Sequence, residues 1–237
     1  ADEMGIGKTL QTLAMLEAVK KEEGGLTALV VCPASLVYNW LEEAHRFAPS
    51  LNAVAVTGTA AARAGIIHGL KQEGGKADLQ KTDLLKADLL ITSYDLLKRD
   101  IAEYDEVTFR FEIIDEAQYI KTHTTAAAKS VKLIRAVTKF ALTGTPIENR
   151  LSELWSIFDY LMPGFLFAYD SFRTQMEVPI VKNEDEEVLE RLHKMIAPFI
   201  LRRIKRDVLR DLPDKLEEIR YAGMEIKQQK LYDAQVI

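Results

Sequence analysis

Five short apolar runs recur along the first two thirds of the chain, at residues 27–31, 53–56, 88–92, 110–114 and 140–143. The first, Thr27-Ala28-Leu29-Val30-Val31, lies between Gly24-Gly25 and Pro33. Its unbroken apolar character predicts a strand buried on both faces. Between the runs the pattern changes to the spacing of amphipathic helices. Residues 8–22 carry Leu10, Leu13, Ala14, Leu16 and Ala18; residues 36–47 carry Leu36, Val37, Trp40, Leu41 and Ala44. Residues 123–138 carry Ala126, Ala127, Val131, Leu133 and Ile134. Strands alternating with helices of this length predict an α/β fold, a parallel sheet with helices on both faces. Residues 60–86 read as a surface excursion: a helix-like 60–70, a Gly74-Gly75 turn, then 79–86.

After Gly144 the strand rhythm stops. Residues 148–161 place Leu151, Leu154, Trp155, Phe158 and Leu161 on one helical side, and Met162-Pro163-Gly164 ends it. A short helix is predicted at 169–175. Another is predicted at 184–196, with Glu184, Asp185, Glu186 and Glu187 at its positive end. Together they predict an all-helical protrusion. The tail from Leu212 is polar, with 215–220 extended and 226–236 opening another element.

Composition narrows the class. The chain has 237 residues, of which 48% are hydrophobic and 28% charged, as in a globular domain. A single cysteine excludes an intramolecular disulfide and a four-cysteine metal site. The histidines, His45, His68, His123 and His193, show no ligand spacing. No apolar run reaches the roughly 20 residues that span a bilayer, and the polar start carries no secretory signal. The net charge of −5 excludes a strongly basic domain but leaves room for a local basic face. The first motif begins at the second residue with no strand ahead of it, so the chain reads as a piece of a larger protein.

That motif is Asp2-Glu3-Met4-Gly5-Ile6-Gly7-Lys8-Thr9, followed by a helical pattern. A phosphate loop has the form G-x-x-x-x-G-K-[ST]; here Asp2 stands in the first position. Gly5 and Gly7 allow amides to curl inward, and the following helix presents its N-terminus to an anion. Lys8 suits phosphates, and the Thr9 hydroxyl suits Mg²⁺. Taken alone, the segment is also readable as a glycine turn capping a helix. The fourth run ends in Asp115-Glu116-Ala117-Gln118. Ligands of parallel sheets bind beyond the carboxyl ends of strands. Asp115 there suits a metal and Glu116 an attacking water, although two carboxylates also open many surface loops. Glu112, in the same run, reads as exposed or paired. Leu142-Thr143-Gly144-Thr145-Pro146 is a hydroxyl-rich strand exit. Thr143 and Thr145 there could bond Asp115 or Glu116 across strands, or the segment could simply cap the next helix.

These segments together resemble the first RecA-like lobe of the Swi/Snf-type DNA-dependent ATPases of helicase superfamily two. The similarity is carried by Ala1 through Thr12, by Val31-Cys32-Pro33-Ala34-Ser35-Leu36-Val37-Tyr38-Asn39-Trp40, and by Ile91-Thr92-Ser93-Tyr94. It continues in Asp115-Glu116-Ala117-Gln118, Leu142 through Asn149, Leu151-Ser152-Glu153-Leu154-Trp155, Arg202-Arg203-x-Lys205-x-Asp207-Val208 and Leu212-Pro213-x-Lys215. The resemblance runs from residue 1 to about 220 and includes the aspartate that breaks the general loop pattern.

The resemblance implies a RecA-like P-loop fold and a motor that moves along double-stranded DNA with ATP and Mg²⁺. It implies nucleotide contacts by Gly5, Ile6, Gly7, Lys8, Thr9 and Leu10, metal contacts by Thr9 and Asp115, and catalysis by Glu116, Lys8 and Asp115. Gln118, Thr143, Gly144 and Thr145 would couple nucleotide state to DNA. Pro33, Ser35, Thr92, Ser93, Tyr94 and Gly144 would lie on the DNA face and meet the phosphate backbone. Alternative readings are Ser35 as a helix cap, Tyr94 as a packed aromatic, Trp40 as core and Cys32 as a packed thiol.

The corresponding division is 1–149 for the ATP-binding lobe, 150–200 for the helical insertion, 201–224 for a closing segment and 225–237 for a linker. An adenine-recognising segment and a strand would precede Ala1. A second lobe with arginine fingers would follow Ile237, and the isolated piece would be nearly inactive. The basic run at 202–210 could meet phosphates, form a solvated face or brace that second lobe. An intracellular, DNA-associated setting follows, with no membrane partner and a protein complex left open. The competing functions are a strand-separating helicase or RNA remodeller, and an inert docking scaffold.

Overall fold

The computed structural model describes residues 1–3, 5–70, 87–144, 150–208, 218 and 223–236. They divide into two compact units, Ala1–Lys205 and Arg206–Ile237. The first holds α1 (Lys8–Glu23), β1 (Ala28–Cys32), α2 (Val37–Phe47), β2 (Ala53–Ala55), α3 (Ala60–Gly69), β3 (Leu89–Ser93), α4 (Tyr94–Asp100), β4 (Thr108–Ile114), α5 (Ala126–Leu133) and β5 (Arg135–Ala141). It continues through α6 (Leu151–Leu161), α7 (Tyr169–Phe172), α8 (Val178–Asn183) and α9 (Glu186–Ile196); a short α10 (Lys205–Val208) follows. The second unit contains α11 (Ile226–Val236).

The strands form one sheet in the order β2-β3-β1-β4-β5, and every pairing is parallel. β1 is buried along its whole length because both faces are covered. Leu29 and Val31 point into a core completed by Ile67, Leu97, Val131 and Tyr160, from the helices on one face. Ala28, Val30 and Cys32 point into the other, with Leu13 and Leu16 of α1 and Trp40 and Ala44 of α2. The expected two-sided α/β sheet is therefore the observed one. A third core of Leu154, Trp155, Phe158, Leu166, Phe172, Met176, Leu192 and Ile196 holds the helical protrusion together. Helix α6 serves two cores, with Ile157 and Tyr160 facing the sheet and Leu154, Trp155 and Phe158 facing the protrusion.

Three local expectations need correction. The helix expected over 123–138 ends at Leu133, and β5 starts at Arg135, earlier than the expected 140. Pairing with β4 along Thr108↔Arg135 to Ile114↔Ala141 outweighs local helical periodicity there. The short helix at 169–175 is the start of a longer run, in which a π-helical turn at Arg173–Glu177 joins α7 to α8. Helix α4 was not foreseen; the Ser93 hydroxyl caps it by accepting from the Leu96 amide at 3.3 Å. The expected segment 79–86, the extended 215–220 apart from Glu218, and the 212–215 motif lie outside the described residues.

Glu112 is fully buried in β4. The Lys139 ammonium lies 2.8 Å from its carboxylate and also donates to the carbonyls of Val131 and Ile134. Burial outweighs that pairing and pushes the Glu112 carboxyl from 4.5 up to about 7. As pH rises from 4.5 to 7 the unfolded chain releases this proton while the folded chain keeps it, so stability falls across that window. Glu112→Gln removes the titration. Its Tm should therefore fall less between pH 4.5 and 7 than that of the parent protein. Parallel Tm curves would show that folding does not raise this pKa.

Candidate functional site

Parallel pairing brings the carboxyl ends of the strands to one rim. Val31 of β1 pairs with Ile114 of β4, Ile114 with Ala141 of β5, and Cys32 with Ser93 of β3. The ladder runs on past the strands: the Asp115 amide donates to Val31 O at 2.8 Å, Leu142 N to Ile114 O at 2.8 Å, and Ala117 N to Leu142 O at 2.9 Å. Pro33, Tyr94, Asp115-Glu116 and Thr143 thus leave the sheet at the same rim, where parallel sheets bind ligands.

The loop before α1 turns on Gly5 (φ 83°) and Gly7 (φ 81°), in a region costly for any residue with a Cβ. No side chain caps the 16-residue α1, so its first amides remain available to an anion. The Lys8 ammonium folds back over its own loop, donating to Asp2 O at 3.0 Å and Glu3 O at 3.5 Å. Thr9 is half-buried in the first turn. A cavity of about 460 Å³ is lined by Asp2, Lys8, Gln11 and Thr12, together with Phe140, Ala141 and Leu142 at the end of β5. The loop therefore abuts the rim at β5. The acidic pair does not line that cavity.

Asp115 is only 8% exposed. Its Oδ2 accepts from Trp40 Nε1 at 2.9 Å and its Oδ1 from the Glu116 amide at 2.9 Å. Burial raises its pKa; these hydrogen bonds and the positive charge of Lys8 oppose the rise. Four carboxylates are buried among the described residues: Asp2, Asp100, Glu112 and Asp115. The first three face Arg203, Arg63 and Lys139, whereas among the described residues no cationic side chain is within ion-pair distance of Asp115. A buried carboxylate bonded to neutral donors suits a metal cation. A carboxylate and the hydroxyl expected from Thr9 are both hard oxygen donors, the ligand type Mg²⁺ takes. Among the described residues no cluster of three or more His, Cys, Asp or Glu could hold a metal by itself.

Glu116 adopts the left-handed conformation (φ 51°), uncommon for a residue with a side chain. Its Oε2 accepts from Gln118 Nε2 at 2.7 Å, and Gln118 Oε1 accepts from the Thr143 hydroxyl at 3.1 Å. The sequence left Thr143 either bonding the acidic pair or capping the next helix; in the structure Gln118 links Thr143 to Glu116. Thr145 lies outside the described residues.

The expected DNA face divides. Ser35 is exposed, and Pro33 and Gly144 are half-buried. Thr92, Ser93 and Tyr94 are buried, at 0%, 3% and 4% exposure. The Ser93 hydroxyl caps α4. The Tyr94 hydroxyl donates to Asp115 O at 2.8 Å, and its ring stacks on that of exposed Tyr119 at 5.0 Å. Burial pushes the Cys32 thiol up to about 12, consistent with a packed, unreactive group.

Sequence reasoning missed two contacts. Trp40 was assigned to the core; it is buried, and it also holds Asp115. Its position in an apolar helical stripe masked the role of its N–H. Arg203 was one of several cations in a basic run; it grips Asp2. The available signal was Asp2 itself, an acid at a loop position that should be glycine and so in need of a cation.

A RecA-like parallel sheet with this loop and rim is the fold of a P-loop NTPase. The chain belongs to the SNF2-related domain family, whose profile it matches over residues 1–237. It is the SWI2/SNF2-like ATPase core type of helicase superfamily two. It is 38% identical over 236 residues to a Mycoplasma genitalium protein named as an ATP-dependent helicase, covering 99% of this chain and 21% of that protein. It is 35% identical over 253 residues to the TATA-binding protein-associated factor mot1 of Schizosaccharomyces pombe, covering 97% of this chain and 12% of that one. The Sulfolobus solfataricus SWI2/SNF2 ATPase core, solved in complex with dsDNA, superposes with a TM-score of 0.73 at 39% identity. That match covers 100% of this chain and 46% of the other. The chain thus spans less than half the length of these relatives. Among the described residues no helix is long and apolar enough to cross a membrane.

Trp40→Phe removes the donor while keeping most of the ring's bulk. Loss of one hydrogen bond to a buried carboxylate should lower the unfolding free energy by about 1.5–3 kcal/mol, read by urea denaturation at pH 7. The loss should shrink in an Asp115→Asn background. An equal loss in both backgrounds would assign the effect to ring packing alone.

Proposed function

We propose that this chain is the first motor lobe of an ATP-driven double-stranded DNA translocase, hydrolysing ATP to ADP and phosphate. The observation that carries the reading is geometric: the Lys8 loop abuts the carboxyl end of β5, and Asp115-Glu116 leave β4, the neighbour of β5, at that same rim. The amides of Gly5 to Leu10, with the Lys8 ammonium, hold the phosphates. Lys8 leaves the carbonyls of Asp2 and Glu3 to do so, exchanging neutral acceptors for anionic ones. Thr9 and Asp115 hold Mg²⁺, which supplies charge neutralisation on the phosphate oxygens when bound. Glu116 orients and deprotonates the attacking water. Its hydrogen bond to Gln118, and that of Gln118 to Thr143, carry the state of the carboxylate toward Gly144.

The DNA side of the reading is supported by the Sulfolobus core having been solved with duplex DNA. Pro33, Ser35 and Gly144 remain the accessible part of the expected face. Backbone contacts there would give weak sequence preference and strong salt dependence. A second lobe supplies the remaining half of the ATP cleft in this reading. A DNA-associated, intracellular setting follows from it. The helicase name of the Mycoplasma relative favours a second reading, in which strands are separated.

The test is an ATPase assay on the full-length protein with duplex DNA, single-stranded DNA and RNA compared, together with a strand-separation assay. Stimulation by duplex DNA without unwinding is the expected outcome; unwinding, or a preference for RNA, would favour the alternatives. Glu116→Gln should keep ATP binding and lose turnover by roughly 10²–10⁴-fold, the span of general-base catalysis. Undiminished turnover in that variant would remove Glu116 from the base role.

A further inference from the structure

Asp2 stands where a phosphate loop ordinarily has glycine, and the structure gives it an elaborate partner. Residues 201–205, which follow the protrusion, run beside residues 1–3. The Glu3 amide donates to Arg203 O at 3.0 Å, and the Lys205 amide to a Glu3 carboxylate oxygen at 2.6 Å. The Arg203 amide donates to Asp2 Oδ1 at 3.0 Å. Arg203 Nε reaches both Asp2 oxygens, at 3.2 and 3.1 Å, and Nη2 adds a further hydrogen bond to Oδ2. The same Nη2 donates to Gln11 Oε1 at 2.5 Å, and Gln11 Nε2 donates to Ile6 O, inside the loop, at 3.1 Å. One guanidinium thus holds the residue before the loop and, through Gln11, a carbonyl within it.

Asp2 also presents its main-chain carbonyl to the Lys8 ammonium. Its side chain is 5% exposed against 37% for Arg203, so the acid is the buried member and the arginine reaches in to it. The paired guanidinium holds the Asp2 carboxyl below the usual carboxylate range. Lys205 lies across the loop as well: a Cβ on Gly5 would sit 3.3 Å from its Cε.

We propose that Arg203 is a positioning residue of the nucleotide loop, fixing through Asp2 and Gln11 the curl that aims the loop amides and Lys8. This rests on the nucleotide reading given above. The planar fork fits the job, because it grips a carboxylate with two N–H groups and keeps another for Gln11, which lysine cannot do. Binding energy that would otherwise go to ordering the loop is then available to the ligand. By linkage, nucleotide occupancy and the position of residues 201–205 bias one another.

The test combines equilibrium binding of a fluorescent ATP analogue with Mg²⁺ and amide hydrogen exchange over residues 5–9. It uses the parent protein, Arg203→Ala, Arg203→Lys, Asp2→Asn and the Asp2→Asn/Arg203→Ala double variant, with Lys8→Ala as control. Loss of a charge-assisted pair should weaken binding roughly tenfold in Arg203→Ala. Protection of the loop amides should fall while that of β1 and α9 amides is unchanged. Arg203→Lys should fall between, and the double variant should lose no more than either single. Parental affinity and loop protection in Arg203→Ala would overturn the proposal, as would additive losses in the double variant. Should Arg203→Ala not fold, parental affinity in Asp2→Asn overturns it. A parent protein that binds no nucleotide, or binds it equally well after Lys8→Ala, sinks the nucleotide reading instead; the exchange data then still report whether Arg203 orders the loop.

Discussion

Parallel register between three neighbouring strands is the constraint on which the rest depends. Val31, Ile114 and Ala141 lie in line across β1, β4 and β5. Each strand is followed at once by chemistry-bearing residues: Pro33 after β1, Asp115-Glu116 after β4, Thr143 after β5. Side chains alternate along a strand, so a shift of one residue would turn Glu112, Ile113 and Ile114 to the wrong faces and carry Asp115 away from Trp40. Burial on both faces makes such a slip costly. The site's geometry is therefore maintained by apolar burial at β1 and its neighbours rather than by contacts within the site.

Charge placement follows a consistent rule with one exception. A buried carboxylate needs compensation, and Asp2, Asp100 and Glu112 each obtain it from an arginine or lysine. Among the described residues Asp115 accepts from two neutral donors, Trp40 Nε1 and the Glu116 amide, rather than from a cation. Next to it Glu116 is held in a left-handed conformation that is uncommon for a residue with a long side chain. An uncommon backbone conformation and a buried carboxylate bonded to neutral donors thus fall in consecutive residues.

Much of this was legible because buried parallel strands and amphipathic helices write distinct periods. The runs at 27–31, 88–92 and 110–114 differ from the observed strands by one or two residues at an end. The boundary between α5 and β5 was not legible, since Arg135 to Lys139 continue a helical spacing and become strand only through pairing with β4. Motif residues were visible, but their exposure was not. Thr92, Ser93 and Tyr94 sit where β3 is still covered on both faces, and sequence alone does not show how far that cover extends. The partners of Asp2 and Asp115 were hidden for another reason. Arg203 lies 201 residues from Asp2, and Trp40 lies 75 from Asp115, distances at which local pattern carries no information.

The protrusion is joined mechanically to the acidic turn rather than merely attached to the sheet. The Ser156 hydroxyl of α6 donates to Ile120 O at 2.5 Å, two residues beyond Gln118, and the Tyr160 hydroxyl donates to Glu112 O at 3.3 Å. Residues 201–205 then leave the protrusion and pair with the other half of the site at Asp2 and Glu3. The acidic turn is therefore tied to the start of the helical run α6–α9 through Ser156, and the loop before α1 to the segment after its end through Arg203. The core of these helices, built on Trp155, Phe158 and Phe172, shares no buried residue with the sheet cores, so the hydrogen bonds at its two ends are what link it to the rim.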